Sequence, residues 1–297
     1  MTLVVLGLSG ALGHDPSAAL YIDGKLVAAA EEERFTRDKH AKNAMPLEAT
    51  RFCLAQADLS ADEVDVVAVP YAKIDLGSPA RWRYALRHWY APDRALDALF
   101  NGNRRYRRYV RRIHEMLHTL GFSPGNFEFE AVEHHLAHAS SCYHLSGFSG
   151  KTAIMGIDGK GEYATSFFGY GEEGVIHKIR EFYDPDSLGG LYGAMTEYLG
   201  FDMLDGEYKV MGMAPYGDPS GHDFSPLMDY GDGSFRVNTR LSNVTGIRRY
   251  KAVGRWYFFS QKIVDWLGPP LGDDASVEPY IHYDAAIQQL FENSILH

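Results

Sequence analysis

Leu3-Val4-Val5-Leu6-Gly7-Leu8 is an apolar run that ends in the glycine-rich turn Ser9-Gly10-Ala11-Leu12-Gly13-His14-Asp15; a second run, Ser17 to Ile22, follows. The turn Asp23-Gly24 then leads into Leu26 to Ala30. The order recurs half a chain later: Ala153 to Ile157, the turn Asp158-Gly159-Lys160-Gly161, Ala164 to Tyr170, the turn Gly171 to Gly174, and Val175 to Phe182. Short β-rich runs separated by Asp-Gly or glycine-rich turns signal antiparallel hairpins, since those residues tolerate the positive φ of a tight turn. Residues 3–33 and 152–182 therefore each predict a three-strand meander.

Helical patterns follow each meander. Met45 to Ala57 begins beside Pro46, a plausible first-turn proline, and Ala49, Phe52, Cys53 and Leu54 recur at helical spacing before a strand over Val64 to Val69. In the second half Leu191, Met195, Tyr198 and Leu199 share one helical face. Meander, helices and a parallel strand make a ribonuclease-H-like unit. Two such units describe the actin-like (ASKHA) α/β duplication of Hsp70 and sugar kinases, which keeps its ligand between the halves; two unrelated meanders would read the same way. The duplication gives a first half over 1–148, with a helical insert over about 72–125, and a second half over 149–297.

The 297 residues are 45% apolar, enough for a sizeable core, and 29 Lys plus Arg against 39 Asp plus Glu leave a net charge of −10. That balance argues against a nucleic-acid partner. Two cysteines, Cys53 and Cys142, are too few for a disulfide scaffold, and a reducing, cytoplasmic setting is expected. No apolar run reaches the roughly 18 to 20 residues of a membrane span, and Met1 to Leu8 lacks the basic flank of a signal peptide. The insert carries Arg104, Arg105, Arg107, Arg108, Arg111 and Arg112, either a phosphate groove or a solvated helix face. From Phe224 to Asp274 the pattern predicts a strand-poor connection with an amphipathic helix near Trp256 to Leu267.

The sharpest chemical signal is Glu133-His134-His135-Leu136-Ala137-His138. In a helix His134 and His138 are i and i+4, with Cβ atoms about 6 Å apart, so two imidazoles can reach one metal ion while His135 points elsewhere. Asp158, at the end of a strand, is the candidate third ligand, although Asp before Gly also suits a type I′ turn for backbone reasons alone. Imidazole plus carboxylate without thiolate suits Fe(II), Zn(II) or Mn(II). The turns at Gly10 and Gly159 offer backbone amides, and His14 adds a titratable imidazole. Glu31-Glu32-Glu33-Arg34-Phe35-Thr36-Arg37-Asp38-Lys39-His40 reads as a solvated strand end, and Gly206 to Gly217 as a shaped loop rather than a helix.

Taken in order, five motifs resemble the O-carbamoyltransferase family of antibiotic and nodulation-factor biosynthesis. They are His14-Asp15, Glu31 to Phe35 followed by Lys39-His40, His134-His135-x-x-His138, Asp158-Gly159, and Lys209-Val210-Met211-Gly212-Met213-Ala214-Pro215-Tyr216-Gly217. The resemblance spans residues 3 to 217. It implies an actin-like N-terminal domain related to the tRNA threonylcarbamoyladenosine modification protein, followed by a smaller domain that makes carbamoyl adenylate from carbamoyl phosphate and ATP. In the first domain a small-molecule hydroxyl attacks that intermediate and AMP leaves. By the same resemblance His134, His138 and Asp158 hold a metal, usually iron; His14 and Lys39 lie near the intermediate; the Lys209 to Gly217 segment, with Gly212, helps hold the nucleotide. An imidazole near its ordinary pKa of about 6.5 suits removal of the hydroxyl proton, which assigns the base to His14 and an anion contact to Lys39.

The family also has a further Asp ligand far downstream and the second domain, whereas this sequence stops at His297 in an amphipathic helix marked by Tyr283, Ala286, Ile287, Leu290, Phe291 and Ile295. The expectation is a second half cut short, inactive without an adenylate-forming domain in cis or in trans. Magnesium would accompany ATP, and a homodimer is compatible with the sequence. An actin-fold ATPase or sugar kinase and a noncatalytic metal-binding subunit are the alternatives; the histidine pair favours carbamoyl transfer.

Overall fold

The computed structural model describes residues 2–10, 13–89, 91–242, 250–252, 255–272 and 278–297, so Ala11 and Leu12 of the first turn lie outside the described residues. It is a mixed α/β chain of two compact units: Met1–Ser78 with Asp97–Ser141, and Pro79–Leu96 with Cys142–His297. The insert expected over 72–125 is thus shared, its 79–96 portion grouping with the second unit. No helix among the described residues is long and apolar enough to cross a membrane.

In the first unit β1 (Val4–Ser9), β2 (Ser17–Ile22) and β3 (Lys25–Glu31) form an antiparallel meander. Asp23 and Gly24 both take positive φ, 49° and 76°, as the Asp-Gly turn demands. A short helix α1 (Glu33–Thr36) and a longer α2 (Leu47–Gln56) follow, then β4 (Val66–Val69), which pairs with β1 in parallel. Helices α3 (Pro79–Arg87), α4 (Pro92–Asn101) and α5 (Arg104–Thr119) precede β5 (Glu128–Ala131), which completes the order β3-β2-β1-β4-β5, and α6 (His134–Tyr143). Alternation along β1 turns Val4, Leu6 and Leu8 inward, where they share a core with Ala49, Cys53 and Leu54 of α2 and Ile113, Met116 and Leu117 of α5. The arginine run is the solvated side of α5: Arg104, Arg105, Arg107, Arg108 and Arg111 are exposed, and Arg112 donates to the Asn43 carbonyl at 2.7 Å.

The acidic run after β3 is no solvated strand end. Its three glutamates do different work. Glu31 pairs with exposed Arg34 at 2.9 Å, and the Glu33 carboxylate accepts the His40 amide at 2.8 Å. Glu32 is only 3% exposed, and its carboxylate accepts the first-turn amides Glu48 N (3.1 Å) and Ala49 N (2.9 Å) of α2. Pro46, which precedes that helix, has no side-chain acceptor, so a residue from the end of β3 caps α2 and offsets its dipole. We expect Glu32→Ala to strand two amides and cost about 2 kcal/mol, read as a lower urea midpoint. An unchanged midpoint would show that water replaces the carboxylate without loss.

The second unit, which also takes in α3, repeats the meander: β6 (Thr152–Ile157), β7 (Ala164–Glu172) and β8 (Val175–Tyr183), antiparallel in the order β6-β7-β8. Helix α7 (Leu188–Tyr198) carries Leu191, Met195 and Tyr198 fully inward, and Ser187 caps it by accepting the Gly190 amide at 2.9 Å. The segment expected as a shaped loop at 206–217 instead holds α8 (Glu207–Met213) and a single 3₁₀ turn. Pro215 falls after α8, in the first turn of the 3₁₀ segment, where its missing N–H costs nothing, and Glu207 accepts the preceding amides of Leu204 and Gly206 at 2.9 and 3.2 Å. Gly217 is required by packing, because a Cβ there would stand 2.1 Å from the Ile281 carbonyl oxygen.

The expectation of a strand-poor connection also fails. Among the described residues, 228–257 contain two short antiparallel strand pairs, β9 (Met228–Gly231) with β10 (Ser234–Val237), and β11 (Tyr250–Ala252) with β12 (Arg255–Tyr257). The turn signal was present: Asp232 and Gly233 take φ of 52° and 64°. Helices α9 (Gln261–Leu267) and α10 (Tyr280–Leu296) follow. Ile263, Tyr283, Ala286, Ile287, Leu290 and Phe291 join the α7 core, together with β9 and β10 residues Met228 and Val237. The apolar periodicity of α10 hides Asp284, 1% exposed, whose carboxyl burial pushes up to about 7.

Candidate functional site

The helix α6 forms where the i, i+4 histidines require it. Its buried positions are His135 and Ala139, which leaves His134 half-buried and His138 exposed. The His134 Nδ1–H donates to the Pro70 carbonyl at 3.1 Å, which puts the ring proton on Nδ1 and the lone pair on Nε2. That Nε2 lies 3.1 Å from the His138 Nε2, with the rings perpendicular at 87°. Two nitrogens each about 2.1 Å from one ion, at the octahedral angle, stand about 3.0 Å apart. The pair therefore fits a shared divalent transition metal, and the backbone contact is the outer-shell hydrogen bond that ligating histidines commonly make.

Asp158 follows β6 in the second unit. The connection to β7 runs over 158–163, longer than the two-residue loop of a type I′ hairpin. The Asp158 carboxylate accepts the Gly159 amide at 2.6 Å, and Ser187 ties the turn to the start of α7 by donating to the Gly159 carbonyl at 2.7 Å. Nothing stands within 4 Å of where a Gly159 or Gly212 Cβ would be. Exposed Lys209, on α8, holds its ammonium 5.5 Å from the Phe201 ring centroid and 5.7 Å from that of Tyr208.

The first turn brings together residues far apart in sequence. Gly10 takes φ 105° and packs so closely on Pro16 that a Cβ would lie 2.3 Å away, so its glycine is required by the chain reversal itself. Beyond it, His14 Nδ1 meets Asp15 Oδ2 at 2.5 Å and His40 Nδ1 meets Asp15 Oδ1 at 2.8 Å. Glu33 adds a carboxylate, such that one ligand atom each from Asp15, Glu33 and His40 lie within 4.8 Å of one another. Lys39 is exposed at the head of the 3₁₀ turn Lys39–Ala41. Partial burial works to raise the Asp15 pKa, yet hydrogen bonds from His14 and His40 hold it below the ordinary carboxylate value. The resemblance assigns roles to His14 and Lys39 but none to Asp15, Glu33 or His40; the Asp15–His40 pairing spans 25 residues and leaves no local periodicity.

Residues 4–265 match the family described as Carbamoyltransferase N-terminus. A Synechocystis protein, sll1178, is 33% identical over 98% of this chain, and the nodulation protein NolNO of Sinorhizobium fredii is 33% identical over 89%. The matches take up 47% and 39% of those relatives, so this chain spans half their length or less. Among solved structures, YeaZ from Pseudomonas aeruginosa aligns with a TM-score of 0.33 at 15% identity, over 62% of this chain and 68% of that one. By the match over residues 4–265, this chain belongs to the carbamoyltransferase N-terminal family.

Proposed function

We propose that this chain is the acceptor-side domain of an O-carbamoyltransferase, which passes a carbamoyl group from carbamoyl adenylate to a hydroxyl of a small-molecule natural product. The observation that carries the reading is the converging His134 and His138 Nε2 pair, in a chain of this family. Asp158 is proposed as its third ligand, with iron(II) the ion that the resemblance implies. Bound there, a divalent metal would orient phosphate and neutralise charge on the carbamoyl oxygen.

The protein's own groups do the rest. The Nε2 of His14 takes the acceptor O–H proton as that oxygen bonds to the carbamoyl carbon; the bond from that carbon to the adenylate phosphate oxygen breaks, and AMP leaves with the electron pair. Lys39 contacts the anion, and the Lys209 to Gly217 segment, with the Gly10 and Gly159 turns, borders the nucleotide. The two meanders of like connectivity support an actin-like duplication, and two free cysteines support a reducing, cytoplasmic setting. Carbamoyl phosphate and ATP, with Mg²⁺, enter at an adenylate-forming domain.

The test incubates the purified chain with ATP, labelled carbamoyl phosphate and a panel of hydroxylated acceptors, with and without a carbamoyl-adenylate-forming domain in cis or in trans. Carbamoylated acceptor is expected only when that domain is present. Product at full rate from the chain alone would overturn the division of labour, and a phosphorylated acceptor would point to a kinase instead.

A further inference from the structure

We infer that Asp15 is the positioning residue that fixes His14 as a base, and that His40 is the second imidazole on the same carboxylate. The inference rests on the proposed carbamoyl transfer for its catalytic meaning, and on geometry alone for the pairing. An ionised carboxylate only accepts hydrogen bonds, so each ring must present its Nδ1–H to Asp15, at 2.5 Å from His14 and 2.8 Å from His40. Each Nε2 then carries the lone pair. The His14 side chain is 44% exposed and that of His40 19%, so His14 is the ring that an incoming hydroxyl can reach.

The backbone around this pair is held in uncommon conformations by several independent contacts. Asp15, Arg37, His40, Ala41 and Asn43 have φ of 51°, 59°, 62°, 36° and 62°, in or near the left-handed region that costs an L-residue about 1 kcal/mol. What compensates is cross-linking between the two loops. The Asp15 amide donates to the His40 carbonyl at 2.9 Å, the Asn43 amide to the Gly13 carbonyl at 2.7 Å, and the His40 amide to Glu33 at 2.8 Å. Strain that the surroundings over-determine in this way belongs where geometry must be exact to a fraction of an ångström. The carboxylate would also stabilise the imidazolium formed when His14 takes the acceptor proton, the part an aspartate plays behind a catalytic histidine in hydrolases.

Asp15→Asn is the discriminating variant, because asparagine tolerates the left-handed backbone and keeps the size. Its amide offers one oxygen where the carboxylate offered two, so both rings can no longer keep the Nδ1–H tautomer. In the uniformly ¹⁵N-labelled chain, wild type should show His14 protonated at Nδ1 and unprotonated at Nε2. Asp15→Asn should shift the His14 or His40 ring nitrogens while backbone amide signals of the β-sheet stay in place. In the complete enzyme, kcat should fall about 10²- to 10⁴-fold with KM nearly unchanged. Unchanged ring nitrogens of both histidines overturn the pairing, and shifted ring nitrogens with undiminished kcat overturn its use in catalysis. Wild type that transfers no carbamoyl group overturns the proposed reaction, and the ring nitrogens still decide the pairing.

Discussion

A chain carrying both His134→Ala and His138→Ala will retain almost no transition metal, where the wild type holds one equivalent after dialysis without chelator. The expectation follows from geometry on a single helix. Nε2 atoms 3.1 Å apart, one of them oriented by the Pro70 carbonyl, are the only imidazole pair the proposed site has, and removing both leaves at most Asp158. A lone carboxylate does not hold a transition metal against dialysis. Neither histidine is on the buried side of α6, which His135 and Ala139 form, so the double variant should fold as the wild type does. Metal analysis decides the matter directly: equal metal in the two proteins rejects the site. Asp158→Ala should lower metal content less, since two imidazoles remain.

His14→Asn, tested in the complete enzyme, should keep ATP-dependent carbamoyl-adenylate formation and lose carbamoylated product by roughly 10²-fold or more, the usual scale of a lost general base. The two activities separate because His14 lies on the turn after β1, in this chain, whereas adenylate synthesis is proposed for another domain. Asparagine retains a polar group close to the Asp15 carboxylate but has no nitrogen that can take the acceptor proton. Parallel loss of both activities would instead mean that His14 matters for structure. Both experiments need only the labelled-substrate assay and metal analysis, so their outcomes can be compared variant by variant.

The repeated meander was legible because its signals are local. Inward and outward residues alternate along β1 and from Phe167 onward in β7, and Asp23-Gly24 and Glu173-Gly174 supply the positive φ of their turns. The helices α2, α7 and α10 were legible for the same reason, while the i, i+4 relation of His134 and His138 followed once α6 was taken as a helix. Where composition misled, the cause was also local: the glycines and proline of 206–217 read as a loop, yet Gly206 and Pro215 bracket α8 rather than interrupt it. The hairpin at Asp232-Gly233 lay between strands too short to show a period.

Tertiary structure alone decided what the charged residues do. Nothing in Glu31-Glu32-Glu33 distinguishes its members, but the turn after β3 sends Glu31 to solvent, Glu32 under the first turn of α2, and Glu33 to the His40 amide. Asp15 and His40 meet across 25 residues for the same reason. A side chain's periodicity records which face it must bury, and the apolar faces of the meander and the amphipathic helices write that record into sequence. A hydrogen bond records only a partner, and the partner is fixed once the chain has folded far enough to bring two distant backbones together.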